Sequence, residues 1–258
     1  LMVTKMTCMM DPPRTIEWET DALDLTLVIN EDGVVCLRHL LPHREPKPVT
    51  PSPFFLDSDL PLVSVRMVGE GNTIRDKTAK CLIGTYLSAR LRYCSHKSHL
   101  DDKKASLDVT SEDQQTGIQV VQHFVVYRAI PVLRSSATIT NTSPSSSCVV
   151  TQLSSLTLGG LTAGTKDWVH EYSLMTANNS WFREAQWRED QLSALGIDDN
   201  GLLQLGDGHH ASFANYTVSS RGSFSTGTYL PMGLLKNQDE NDVLLWQIEH
   251  NGSWRWGI

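Results

Sequence analysis

The 258-residue sequence has no apolar run approaching the roughly 20 residues that span a bilayer as a helix. It also lacks any long stretch with the 3.6-residue hydrophobic period of an amphipathic helix. Its five cysteines, Cys8, Cys36, Cys81, Cys94 and Cys148, are odd in number, widely spaced and contain no C-x-x-C, so a complete disulfide framework is not expected. There is no H-E-x-x-H, no G-x-S-x-G and no P-loop. The Gly/Ser-rich RGSFSTG at 221–227 is followed by no helix pattern whose N-terminus could hold a phosphate. Positive charge is in the minority: net charge is −7 and the pI about 5.7, which argues against a general nucleic-acid binder. The opening LMVTKMTCMMDPPR shows no apolar core followed by a small-residue cleavage site, so no signal peptide is read and a cytoplasmic location is favoured over secretion. The N-x-S/T sequons at Asn141, Asn178, Asn215 and Asn251 matter only in a secreted protein.

What is present is strand pattern. Leu23, Leu25, Leu27 and Ile29 alternate with Asp24, Thr26 and Val28, then Asn30-Glu31-Asp32-Gly33 turns the chain into VVCLRHL. The proline-rich residues 42–61 read as a loop, 62–68 as a strand, and TYLSARLRY (85–93) as strand rather than short helix. HLDDKKASLD reads as a polar connector. GIQVVQHFVVYRAI (117–130) is long with few polar breaks, which predicts a central strand ended by Pro131. Residues 132–158 read as a hairpin about SPSSS, 166–200 as irregular with a short helical piece near EDQLSAL, and 211–220 and 228–235 as short strands. Long strands at short spacing without alternating helices predict an all-β, antiparallel two-sheet sandwich with little helix. No linker divides the later strands, so residues 1–258 are expected to form one large domain.

Six of the seven tryptophans lie at or after residue 168. In VLLWQIEHNGSWRWGI, Asn251-Gly252 predicts a hairpin pairing His250 with Ser253, Glu249 with Trp254 and Gln247 with Trp256. Two indoles beside a carboxylate and an amide suit a sugar; a half-buried strand pair packing a core or interface is the plainer alternative. NNSWF at 178–182 is a second place where amides flank an indole. Metal binding at Cys94, His96 and His99 is disfavoured, because i and i+3 residues of a strand point to opposite faces. His209-His210 beside Asp207 is an equally weak cue, so no metal or cofactor is expected.

Several long blocks in one order carry a resemblance: LPLVSVRMVGEG (60–71), KCLIGTYLSARLRYCSH (80–96), HFVVYRAIPVLRSSATITNTS (123–143), SSLTLGGLT (154–162), NNSWFREAQWRE (178–189), FSTGTYLPMGLLKN (224–237) and WQIEHNGSWRW (246–256). Together they resemble the amino-terminal β-supersandwich of family 36 glycoside hydrolases, the α-galactosidases. The resemblance implies a galactose-mutarotase-like sandwich that precedes a catalytic (β/α)8 barrel and a small β domain in the full enzyme. It implies hydrolysis of terminal α-linked galactose from raffinose-type oligosaccharides with retention. That chemistry needs two carboxyl groups about 5–5.5 Å apart, which the family takes from the barrel, so no catalytic residue is expected in this chain. It further implies a homo-oligomer in which loops of this domain reach a neighbouring active site. By that analogy Glu70, Asn72, Asn179 and Trp181 are candidate substrate contacts, and Trp254 and Trp256 candidate interface residues towards the catalytic domain. A free-standing carbohydrate-binding module and an inactive structural domain are the competing readings; neither nucleic acid nor membrane is an expected partner.

Overall fold

The computed structural model describes residues 14–44, 60–71, 84–144, 147–159, 168–197, 204–205, 209–210, 216–220, 228–238, 243–250 and 252–258. Nearly all the described secondary structure is strand, and every strand pair is antiparallel, the all-β class that the alternation predicts. The chain groups into two compact units, one of residues 1–75 and 83–163, the other of residues 76–82 and 164–258.

The first unit opens with a three-stranded meander, β1 (Thr15–Glu19), β2 (Leu23–Ile29) and β3 (Val35–Pro42). The period-2 pattern puts Ile16, Trp18, Leu25 and Leu27 on its buried face. Thr20 closes the first turn, its Oγ1 donating to the Leu23 carbonyl at 2.8 Å and accepting the Leu23 N–H at 2.9 Å. Asn30 closes the second by accepting the Val34 N–H at 2.8 Å, with Gly33 at φ 79° where a side chain would be strained. A four-stranded meander follows: β5 (Arg92–Leu100), β6 (Lys104–Asp113), β7 (Ile118–Tyr127) and β8 (Leu133–Asn141), in that spatial order. Its inward residues Leu107, Val109, Val120, Phe124 and Val126 are buried. Val34 and Val35 of the first meander and Val109 and Val120 of the second line one small cavity, so the two sheets face each other across this core. The turn from Gly33 also contacts the second sheet, its carbonyl accepting the Tyr93 N–H at 2.8 Å.

Between the meanders lie β4 (Val65–Met67), paired with β9 (Val150–Leu153), and the five-residue helix α1 (Tyr86–Arg90). Here the expected strand over 85–93 is corrected to a helix followed by β5. Thr85, taken as a β-former, is an N-cap: its hydroxyl accepts the Ser88 N–H at 3.2 Å and donates to the Val65 carbonyl at 2.6 Å. Ser88 Oγ in turn accepts the Val65 N–H at 2.8 Å, so a cap and a helical serine fasten α1 to β4. HLDDKKASLD, expected to be a connector, is instead the end of β5, a tight turn over 101–103 and the start of β6, with Asp101 accepting the Lys103 and Lys104 N–H groups. The expected 132–158 hairpin does not form either, because β8 pairs with β7 and β9 with β4. The central position of β7 and its end before Pro131 are as predicted.

In the second unit α2 (Trp168–Glu171) leads into β10 (Tyr172–Ser180) and β11 (Arg183–Gln191), and a 3-10 turn (Ser193–Leu195) falls where the short helical piece was expected. After the two-residue strands β12 (Gln204–Leu205) and β13 (His209–His210) come β14 (Thr217–Ser219), β15 (Tyr229–Asn237), β16 (Val243–Gln247) and β17 (Arg255–Gly257). The main sheet has the order β11-β10-β15-β16. Segment 166–200, expected to be irregular, is mostly the β10–β11 hairpin; its strand period is obscured because β11 is exposed along nearly all its length.

The predicted terminal hairpin is also corrected. β16 pairs with β15, while β17 leaves that sheet and pairs with β14, matching Val218 with Trp256. Trp256 meets Trp246 edge-on at 5.1 Å between ring centroids and lies 6.1 Å from Tyr216. Burying an indole in this way contributes on the order of 3 kcal/mol, which a two-stranded ribbon ending in open solvent would forgo.

Candidate functional site

The six candidate residues fall in four places. Trp254 and Trp256, expected to offer aromatic surface, are buried inside the second unit. They are packing residues, and Trp254 is fixed by its backbone N–H, which donates to Ser220 Oγ at 3.3 Å. Asn72 lies outside the described residues. Glu70 lies in the first unit, and Asn179 and Trp181 share one hairpin of the second.

Glu70 is committed to an ion-pair network. Arg90, in the last turn of α1, donates from Nη2 to Glu70 Oε1 at 3.0 Å and to Asp113 Oδ2 at 3.0 Å, and from Nη1 to Glu70 Oε2 at 3.2 Å. The Asp113 side chain is only 3% exposed. It also accepts from Thr116 Oγ1 at 2.7 Å and from the Gln115 N–H at 3.2 Å. Burial pushes the Asp113 carboxyl upward, but hydrogen bonds from Arg90, Thr116 and Gln115 outweigh it and leave the group below its usual range. Hydrogen bonds to Asp113, and next to Glu70, hold the Arg90 guanidinium above its ordinary value. The network ties the loop after β4 to α1 and to the β6–β7 turn, so Glu70 has a structural job whatever else it contacts.

The β10–β11 hairpin is built for presentation. Ser180 pairs with Arg183, leaving a loop of only Trp181 and Phe182. Their rings meet edge-on at 5.2 Å and stand 87% and 83% exposed. Phe182 has φ 62° and Ala185 φ 51°, left-handed values that are unusual for an alanine and an outlier for a bulky aromatic. The register shifts between Asn178 and Ser180, where β11 carries one extra residue. Asn179 supports that bulge: its Oδ1 accepts the Ala185 N–H at 2.7 Å, and its own N–H donates to the Thr228 carbonyl at 2.8 Å. Asn179 therefore braces the tip, and Trp181 occupies it. Sequence reasoning found both residues but missed Phe182 and the half-exposed Trp187 of β11. Neither carries a turn signal, since nothing in Trp-Phe announces a left-handed residue.

Among the described residues no three His, Cys, Asp or Glu side chains gather at metal-binding distance. His96 is instead hydrogen-bonded through Nδ1 to the Tyr93 hydroxyl at 2.8 Å.

No protein-family model and no curated protein matches the chain. Solved structures do. The α-galactosidase from Lactobacillus brevis aligns with a TM-score of 0.59 at 16% identity, over 94% of this chain and 34% of that one. The family 36 α-galactosidase AgaB from Geobacillus stearothermophilus aligns at 0.57 and 11%, over 95% of this chain and 34% of its own. The galactosidase domain of the α-galactosidase–sucrose kinase AgaSK aligns at 0.60 and 11%, over 95% and 35%. A variant of AgaA from G. stearothermophilus with the same likeness, TM-score 0.56, was solved in complex with raffinose. The chain spans about a third of each of these proteins. It has the fold of their amino-terminal β-sandwich domain.

Proposed function

We propose that this chain serves as the non-catalytic amino-terminal domain of an α-galactosidase that releases terminal α-linked galactose from raffinose-type oligosaccharides. In this reading residues 1–258 act with a catalytic barrel and in a homo-oligomer, and the β10–β11 tip reaches the substrate pocket. The observation that carries the reading is Trp181: 87% exposed on a two-residue loop, beside two non-glycine residues held in left-handed conformation. Such strain costs on the order of 1–3 kcal/mol per residue and persists where the surroundings over-determine it, commonly at ligand contacts. An exposed indole presents a flat face to sugar C–H groups, and Phe182 props it from the side. Glu70 and Asn72 remain part of the proposal as pocket residues, with Glu70 acting from its ion pair to Arg90.

The experiment is Trp181→Ala in a protein carrying this chain together with its catalytic barrel. The KM for raffinose rises, while the melting temperature holds because so exposed a ring contributes little packing. Unchanged KM and kcat would remove the substrate contact. The exposed Trp181 and Trp187 also suit a free-standing carbohydrate-binding module. Gel filtration with a galactose titration separates the two: submillimolar galactose binding by a monomeric chain favours the module.

A further inference from the structure

Strand β5 is an edge whose outer side is left open. Among the described residues it pairs with a strand, β6, on one side only. On the other, the Tyr93 N–H reaches Gly33, and from Cys94 to Leu100 no further backbone partner occurs among the described residues. The strand also overhangs the core. Val109, Leu107 and Ala105 of β6 are buried, yet their cross-strand neighbours His96, Ser98 and Leu100 on the same face are exposed, Leu100 at 68%. Among the described residues the opposing layer therefore stops at β6, and Cys94–Leu100 of β5 are exposed on both faces.

Charge marks the edge further. Residues 92–100 include Arg92, His96, Lys97 and His99 and no carboxylate, in a chain of net charge −7. Of the nearby acids, Asp108, opposite Lys97, bonds His123 Nδ1 at 2.8 Å, Asp101 accepts two backbone N–H groups of its own turn, and Asp102 stands exposed in that turn beyond the end of the strand. Glu112 lies opposite Arg92 at the far end of the strand. Lys97 and His99 fall on one face of the strand, and His96, Ser98 and Leu100 on the other.

We propose that β5 is a docking edge for an extended acidic segment of a partner protein, added to the sheet as a further strand. Backbone groups of the edge supply its affinity, and alternation supplies its specificity. Carboxylates of the partner lie over Lys97 and His99, and apolar side chains over Leu100. A second copy of β5 is a poorer occupant, because antiparallel self-pairing sets Lys97 and the two histidines against one another, and an edge lysine blocks that association.

The test titrates the 258-residue chain with a labelled synthetic octapeptide alternating glutamate and valine, alongside a lysine–valine counterpart. The glutamate peptide binds saturably, hydrogen exchange slows at residues 95–99, and added salt weakens the complex. Lys97→Glu, a change at an exposed position, weakens it about tenfold, the scale of turning one cross-strand charge pair from attractive to repulsive. The same variant gains affinity for the lysine peptide. The proposal is overturned by absence of saturable binding, by protection away from β5, by indifference to Lys97→Glu, or by β5 protection in a dimer formed without peptide.

Discussion

Replacing Arg90 with methionine keeps most of the aliphatic stem of the side chain and removes the guanidinium that joins Asp113 and Glu70. Breaking a fully buried ion pair costs about 3–5 kcal/mol, because a charge is left without its partner. Two features lower that figure here. The Arg90 side chain is a quarter exposed, so water enters the site, and Asp113 keeps the Thr116 hydroxyl and the Gln115 N–H. Glu70 is more open than Asp113 and adds no more than a surface pair, under about 1 kcal/mol. The expected loss is about 2–3 kcal/mol, read near neutral pH as a 30- to 150-fold faster exchange of the slowest amides of β6 and β7. The pH dependence has a definite sign. Asp113 titrates below its unfolded value of about 3.9, so its contribution is complete above that value and is lost as pH falls through the lower folded value. The gap between the native chain and Arg90→Met therefore narrows in acid. A gap below about 0.5 kcal/mol at neutral pH, the size of an ordinary surface change, refutes the assigned role, and so does a gap that widens on acidification.

Three further outcomes follow from local geometry. A Cβ on Gly233 would collide with Trp246 Cζ2, so Gly233→Ala destabilises the second unit by about 1–3 kcal/mol in urea unfolding. Ala185→Gly relieves a left-handed alanine and raises stability by about 0.5–1 kcal/mol by the same assay, net of the entropy that glycine adds to the unfolded chain. Thr85→Ala removes the cap of α1 and its bond to Val65, costing about 1–2 kcal/mol and speeding exchange of the Ser88 amide.

The strands that were legible are those whose own residues carry the period. Leu23 to Ile29 alternate because one face of β2 packs on a core, and Asn30 to Gly33 announce their turn in side-chain chemistry. Where a residue type serves two purposes, local reading failed. Thr85 is both a β-former and a cap, and only the Val65 carbonyl, distant in sequence, decides between them. Asn251-Gly252 signals a tight turn, yet β16 and β17 take different partners, because pairing with β14 buries Trp254 and Trp256. The candidate site was half legible. The amides and indole of NNSW drew attention to the β10–β11 hairpin, but the brace from Asn179 to Ala185 and the left-handed Phe182 depend on a bulge that leaves no mark in the sequence. Glu70 was found without its partners, since Arg90 and Asp113 reach it only through the packing of α1 and the β6–β7 turn.

The most direct test of a non-catalytic domain that presents Trp181 to an α-galactoside is a nuclear magnetic resonance titration. The 15N-labelled chain receives raffinose while the indole N–H signals and the sugar's anomeric signals are followed in one sample. The account predicts that the Trp181 indole moves, with a midpoint in the millimolar range or weaker, equivalent to about −4 kcal/mol, and that raffinose stays intact. A stationary Trp181 while other indoles shift, or release of galactose that a single Asp or Glu substitution in this chain abolishes, contradicts it.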